Sequence, residues 1–189
     1  MMVGHLLVRP TGIVFVDPPL IPGLIDAATK LGTPEAVLLT TQNHTRAAAF
    51  MRKRAGIPAY LPEQDPNSLD PREAAKVKDL GEFQTYTGGE VLGLHAYKFG
   101  SEYALLTKEK ELLFGDIAMG DDKGSVMLWP DWYSPGPPYD SYTKELADSD
   151  RMEIREGFKQ LVRRTGATSL LASHGYDILG TLQSRAALL

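Results

Sequence analysis

The chain of 189 residues contains no cysteine. That excludes disulfides, thiolate metal ligands and a nucleophilic thiol, and it fits a reducing, cytoplasmic setting. No stretch approaches the ~20 consecutive apolar residues that a membrane span needs. The start, Met1-Met2-Val3-Gly4-His5, lacks a basic segment followed by an apolar run, so no export signal or membrane association is expected. Neither sign of charge dominates: 20 Lys and Arg stand against 24 Asp and Glu, a formal net charge of -4. Such a chain offers no basic face for non-specific phosphate binding, so nucleic acid is not an expected partner, although Lys and Arg can still line one pocket. Gly-x-Ser-x-Gly is missing, and with it the usual serine-hydrolase elbow. Gly-x-x-x-x-Gly-Lys-Ser/Thr and Gly-x-Gly-x-x-Gly are missing too, which argues against nucleotide folds of those types.

What is present suits a globular protein. The sequence is 43% hydrophobic and 23% charged, ordinary values for a water-exposed domain. A chain of this length buries roughly 70% of its unfolded surface, so one domain over residues 1–189 is expected.

Two β-rich runs, His5 to Pro10 and Ile13 to Asp17, flank Thr11-Gly12 and read as a hairpin. Pro18, Pro19 and Pro22 break the sheet, and Gly23 to Leu31 then carries Leu24, Ile25, Ala28 and Leu31 at helical spacing. Ala36 to Thr40 has the continuous apolar character of a strand buried on both faces. A helix over about Thr45 to Gly56 follows, with Ala48, Met51 and Ala55 on one face. The loop Thr41 to His44 therefore joins a buried strand to a helix N-terminus. Ala59 to Leu61 is a short strand, and Pro62 to Pro71 a polar loop. Glu90 to His95, Glu102 to Thr107 and Glu111 to Phe114 read as three successive strands of a second sheet. Ala118 to Tyr139 reads as irregular, Ser141 to Arg164 as helix, and Thr168 to Ala172 as the last buried strand.

Four segments carry the chemistry: Gly12 to Pro19 ending in Asp17-Pro18-Pro19, Leu38 to Arg46, Leu113-Phe114-Gly115-Asp116, and Leu170 to Gly175 ending in His174-Gly175. Their order and spacing resemble the metallo-β-lactamase superfamily. The resemblance implies an α/β protein with a four-layer αββα sandwich, its first sheet trimmed by shortened opening strands. It also implies a cleft in which a Thr-His-x-His-x-Asp-His loop, a later Gly-Asp and a final His-Gly hold two metals. Aligned on Thr40, the loop's ligand positions fall on Thr41, Asn43, Thr45 and Arg46, none of which is a normal zinc ligand. The family's next His falls near Tyr97 or Lys98. Asp116 and His174 match, and Asn43-His44-Thr45-Arg46 resembles divergent members whose loop ends in a His two residues before an Arg.

Asp116 and His174 are accordingly the candidate catalytic residues. With His44 they also form the candidate metal set, for no metal or one weakly bound divalent ion, zinc by donor chemistry. Two readings of His44 are open. Its neutral imidazole enters the cleft through a one-residue slip of the backbone, or it belongs to an N-terminal cap in which Asn43 or Thr45 bonds the free N–H groups. Arg46, Asn43 and Lys98 are the candidate substrate-binding groups. Arg46 stays protonated at any ordinary pH; it either takes the second metal's place and pairs with Asp116 or is exposed on the first helical turn. His95 reads as a packed strand residue on the same side as Tyr97, and His5 carries no assignment.

Magnitudes bear on metal. A full set of ligands contributes roughly 10–16 kcal/mol in small zinc domains. Half of that corresponds to a dissociation constant of roughly 0.1 mM to 1 μM. A two-metal hydrolase is therefore not expected, while three protein ligands and a water remain a workable single-ion site. Two functions follow: a hydrolase of a small ester, thioester or phosphoester with a reduced metal site, or a non-catalytic domain binding a small anion or serving in assembly. Trp129, Trp132, Tyr133 and Tyr139, in the 129–139 loop, read as self-packing, as a lid, or as a homodimer contact.

Overall fold

The computed structural model describes residues 3–63, 83–131 and 148–189, with the side chain of Arg46 outside that description. The chain opens with the hairpin β1 (His5–Val8) and β2 (Ile13–Val16), closed by paired backbone bonds between Arg9 and Gly12. Helix α1 (Leu24–Thr29) leads to β3 (Pro34–Leu38). A 3-10 turn (Gln42–Ala47) runs into α2 (Ala48–Ala55), and β4 (Ala59–Pro62) and β5 (Gln84–Tyr86) complete a sheet of order β1-β2-β3-β4-β5. All pairs but the first are parallel.

The second sheet has the order β12-β9-β8-β7-β6, from β6 (Gly89–Val91), β7 (Leu94–Phe99), β8 (Glu102–Leu106), β9 (Glu111–Phe114) and β12 (Ser169–Ala172). Between β9 and β12 come the small hairpin β10 (Ala118–Gly120) and β11 (Val126–Leu128) and the helix α3 (Asp148–Thr165); α4 (Leu182–Ala186) follows β12.

Alternation of side chains along buried strands sorts the core into three slabs. Ile13 and Phe15 of β2, with Val37 and Leu39 from β3 and the residue after it, pack against Ala28, Ala48 and Met51 of the first helices. Val14, Val16, Ala36 and Leu38 point the other way and meet Leu94, Ala96, Tyr103, Leu105 and Leu113 of the second sheet. Leu112 and Phe114 turn outward again, onto Phe158, Leu161 and Val162 of α3. Helix, sheet, sheet and helix thus stack as four layers, each strand feeding two slabs because its side chains alternate. Among the described residues no helix is long and apolar enough to cross a membrane.

Three expectations need correction. Glu90 to His95 is not one strand: the chain reverses at Leu92-Gly93, whose φ values of 48° and 69° suit a two-residue hairpin. A Leu in that left-handed position hides the turn from sequence reading, where Asn would announce it. Ala118 to Leu128 is a hairpin rather than irregular chain, and the helix expected from Thr45 begins as a 3-10 turn with α2 proper starting at Ala48. Residues 64–71, 132–139 and 141–147, where part of a loop, most of the aromatic cluster and a helix start were expected, lie outside the described residues.

Candidate functional site

The site lies where strands of both sheets end. Asp17 follows β2, Thr40 to His44 follow β3, Asp116 follows β9, and Ser173 and His174 follow β12. Carboxyl ends of parallel strands collect ligand sites because their loops converge beyond the sheet edge. Here two sheets contribute to one edge, stitched by Tyr103 N–H donating to the Thr40 carbonyl at 3.0 Å.

Asp17 is fully buried. Its Oδ1 accepts the backbone N–H of Thr40 at 2.9 Å; its Oδ2 accepts the Thr40 hydroxyl at 2.6 Å and the Ser173 hydroxyl at 2.8 Å. His44 Nδ1 stands 3.1 Å from the same Oδ2, close enough for an ion pair, though the ring N–H is not aligned for a hydrogen bond. Burial raises the Asp17 carboxyl, but His44 and the Thr40 bonds outweigh it and hold the group below the usual range.

His44 is buried on the 3-10 turn, and its φ and ψ of -96° and 26° kink the turn there. The helix start is capped elsewhere, by the Thr41 hydroxyl accepting the Asn43 N–H at 3.3 Å. With the cap supplied by Thr41, the ring turns inward: Nε2 lies 3.0 Å from Asp116 Oδ1. His174 Nε2 lies 3.0 Å from that same oxygen, and the two rings are 5.5 Å apart. Burial disfavours the charged imidazole of His44, yet Asp17 and Asp116 on either side push its pKa up to about 10. Asp116, a third exposed, is lowered: burial opposes ionisation, and bonds from His174 and His44 overcome it.

Behind Asp116 lies Glu102, the first residue of β8 and 1% exposed. Its carboxylate accepts the N–H of Asp116 at 2.7 Å and of Ile117 at 3.0 Å. Burial, then Asp116, raises it to about 8, against the pull of those two N–H donors. One ligand atom each from His44, Asp116 and His174 lies within 4.8 Å of the others.

No protein-family model matches the chain, and no curated protein matches it in sequence. Solved structures do. TTHA1623, in a di-iron-bound form, is 20% identical at a TM-score of 0.65, covering 97% of this chain and 92% of its own. BLEG-1, a B3 metallo-beta-lactamase, is 18% identical at 0.62, over 92% and 87%. This is the metallo-β-lactamase fold. ST1585 from Sulfolobus tokodaii, an archaeal metallo-beta-lactamase superfamily protein, shares it at 13% identity and a TM-score of 0.56, over 97% of this chain and 77% of that one.

In this metallo-β-lactamase fold, the loop after β3 carries hydroxyl and amide side chains at positions 41, 43 and 45. Thr41 is the cap, Asn43 is exposed, and Thr45 is buried with its hydroxyl unpartnered among the described residues. Lys98 is exposed on β7, opposite Tyr103. Neither Asn43 nor Lys98 bonds to the His44, Asp116 and His174 group among the described residues. The expected pairing of Arg46 with Asp116 involves a side chain outside the description; the described partners of the Asp116 carboxylate are the two histidines. His95 packs its ring 4.5 Å from Tyr97, on the side expected, and stays 43% exposed beside Glu90. His5 Nε2 donates to the Ala172 carbonyl at 3.2 Å.

Sequence reasoning assigned no role to Asp17, Thr40, Glu102 or Ser173. The signal for Asp17 was available: an acid that directly ends a strand of four fully buried apolar residues has to find polar partners.

Proposed function

We propose that the protein is a hydrolase of a small ester, thioester or phosphoester that works with a single divalent ion held by His44, Asp116 and His174. The observation that carries this reading is the convergence of two imidazoles and one carboxylate, from both sheets, on one point. That donor set fits a catalytic ion. Two imidazoles and a carboxylate with open positions suit zinc and also iron(II). Such an ion, when bound, supplies an acidified water and polarises a carbonyl or phosphoryl oxygen.

The chain's own residues prepare for it. Asp17 sits against Nδ1 of His44 and so directs Nε2 toward the cleft, the outer-shell arrangement whose loss typically costs 10–100-fold in metal affinity. Thr40 and Ser173 fill the remaining capacity of Asp17 and keep that carboxylate from swinging into the cleft. Asp116 is both the shared acceptor of the histidines and the acid nearest the opening. With Thr41, Asn43, Thr45 and Arg46 at the positions where the family's loop ligands fall, the site is read as holding one ion.

Elemental analysis of protein grown in metal-replete medium tests this, together with hydrolysis assays on a panel of esters, thioesters and phosphoesters. The expected result is about one equivalent of zinc, iron or manganese, lost in Asp116→Asn and His174→Gln together with activity. Metal-free wild-type protein that stays inactive after reconstitution would favour the non-catalytic, anion-binding reading of the same fold.

A further inference from the structure

Glu102 is an acid at the head of a strand whose next three residues, Tyr103, Ala104 and Leu105, are all buried and apolar. A carboxylate there is costly unless its oxygens are occupied, and both are, by consecutive backbone N–H groups of the turn after β9. Those two donors have left the strand ladder, and an apolar side chain at position 102 would leave them buried without a partner. The turn meets Glu102 this closely because residue 115 is Gly: a Cβ there would stand 2.7 Å from Glu102 Oε2 and collide with the Thr40 hydroxyl.

We infer that Glu102 is a positioning residue, clamping the backbone at Asp116 and Ile117 so that one Asp116 oxygen meets both histidines. The inference rests on the single-ion reading of the site for its purpose, though not for its geometry. With two adjacent N–H groups pinned by one rigid carboxylate, the Cα of Asp116 is fixed and only its side-chain torsions remain free. The 3.0 Å distances to His44 and His174 follow from that anchorage. The bonds of Glu102 go to the backbone N–H groups of Asp116 and Ile117, so it acts through Asp116.

The test compares Glu102→Gln with Phe158→Leu, a core variant on α3 that lowers stability and contacts none of His44, Asp116 and His174. In metal-free protein labelled with 15N at histidine and held at pH 9, where Glu102 is ionised, wild type is expected to show His44 and His174 Nε2 resonances of hydrogen-bonded rings. Gln keeps one acceptor and turns an NH2 toward an N–H, so in Glu102→Gln these resonances move toward unbonded values. Cobalt(II) affinity falls roughly 10–100-fold, with altered d–d bands. Phe158→Leu leaves resonances and affinity as in wild type. Ring resonances and cobalt affinity in Glu102→Gln that match Phe158→Leu would overturn the assignment. If Glu102→Gln does not fold, Glu102→Asp, with both acceptors on a shorter stem, takes its place: displaced ring resonances support the clamp and unchanged ones overturn it. Should wild type take up no cobalt, the single-ion reading falls, while the metal-free resonances still decide the role of Glu102.

Discussion

His44 Nδ1 lies 3.1 Å from Asp17 Oδ2, deep beneath the cleft, so the imidazole is backed by a buried carboxylate while its other nitrogen faces Asp116. The pair joins the ends of two adjacent parallel strands, β2 and β3, and it decides which way the ring looks.

Removing the charge of Asp17 should therefore cost more than one hydrogen bond. Asp17→Asn leaves a protonated His44 without its inner counter-ion and gives the Thr40 and Ser173 hydroxyls a poorer acceptor. Breaking a buried pair from one side costs about 3–5 kcal/mol. Chemical denaturation of the metal-free protein is expected to report a loss of that order, and a change below about 1 kcal/mol would contradict the packing described here.

The pH dependence of metal-free stability follows from the same groups. His44 is raised from 6.5 to about 10 in the folded protein, so its contribution is full below 6.5 and is lost as pH rises through 10. Glu102, raised from 4.5 to about 8, acts in the same direction, its contribution fading from 4.5 upward. Asp17 and Asp116 are lowered from 3.8, so what they contribute is present above 3.8 and is lost as pH falls. Stability in the presence of a chelator should thus decline from pH 4.5 upward, and more steeply above 6.5, where His44 adds to Glu102. One titrating group limits its share of the slope to about 1.4 kcal/mol per pH unit. A melting temperature that holds level or climbs between pH 6.5 and 9 would count against a protonated His44 between two carboxylates.

Gly115→Ala is expected to injure fold and site together. The added methyl would press on Glu102, on the Thr40 hydroxyl and, at 3.1 Å, on Thr41 Cγ2. Overpacking of this kind costs roughly 1–3 kcal/mol. Because residue 115 itself belongs to the turn that carries Asp116, metal uptake should fall as well, measured by cobalt titration. Unaltered melting and unaltered uptake would show that the turn has room to spare.

Legibility in the sequence divides along physical lines. The runs Ile13–Val16 and Ala36–Leu38 announce themselves as strands because burial on both faces demands unbroken apolar character, and the helix after them declares its inner face through Ala48 and Met51. Asp116 and His174 are visible because each follows such a strand. His44 is visible only as one of two alternatives, since Asn43 and Thr45 on either side of it both have cap chemistry and the direction its ring takes depends on a kink of the turn. Glu102 is hidden. An acid at the start of a strand normally reads as exposed, and its two partners are backbone N–H groups 14 and 15 residues onward, which no side-chain pattern encodes. Gly115 is hidden for the same reason: its smallness answers to Thr40, Thr41 and Glu102, which approach from other strands.

The Ser173 hydroxyl bonds to Asp17 across 156 residues of chain. Since one sheet brings Asp17 and His44 and the other brings Asp116, Ser173 and His174, neither half of the molecule owns the cleft by itself. On the single-ion proposal, competence to capture an ion belongs to the joined sandwich, and ion capture should serve as a late reporter of folding, silent until the two sheets have met.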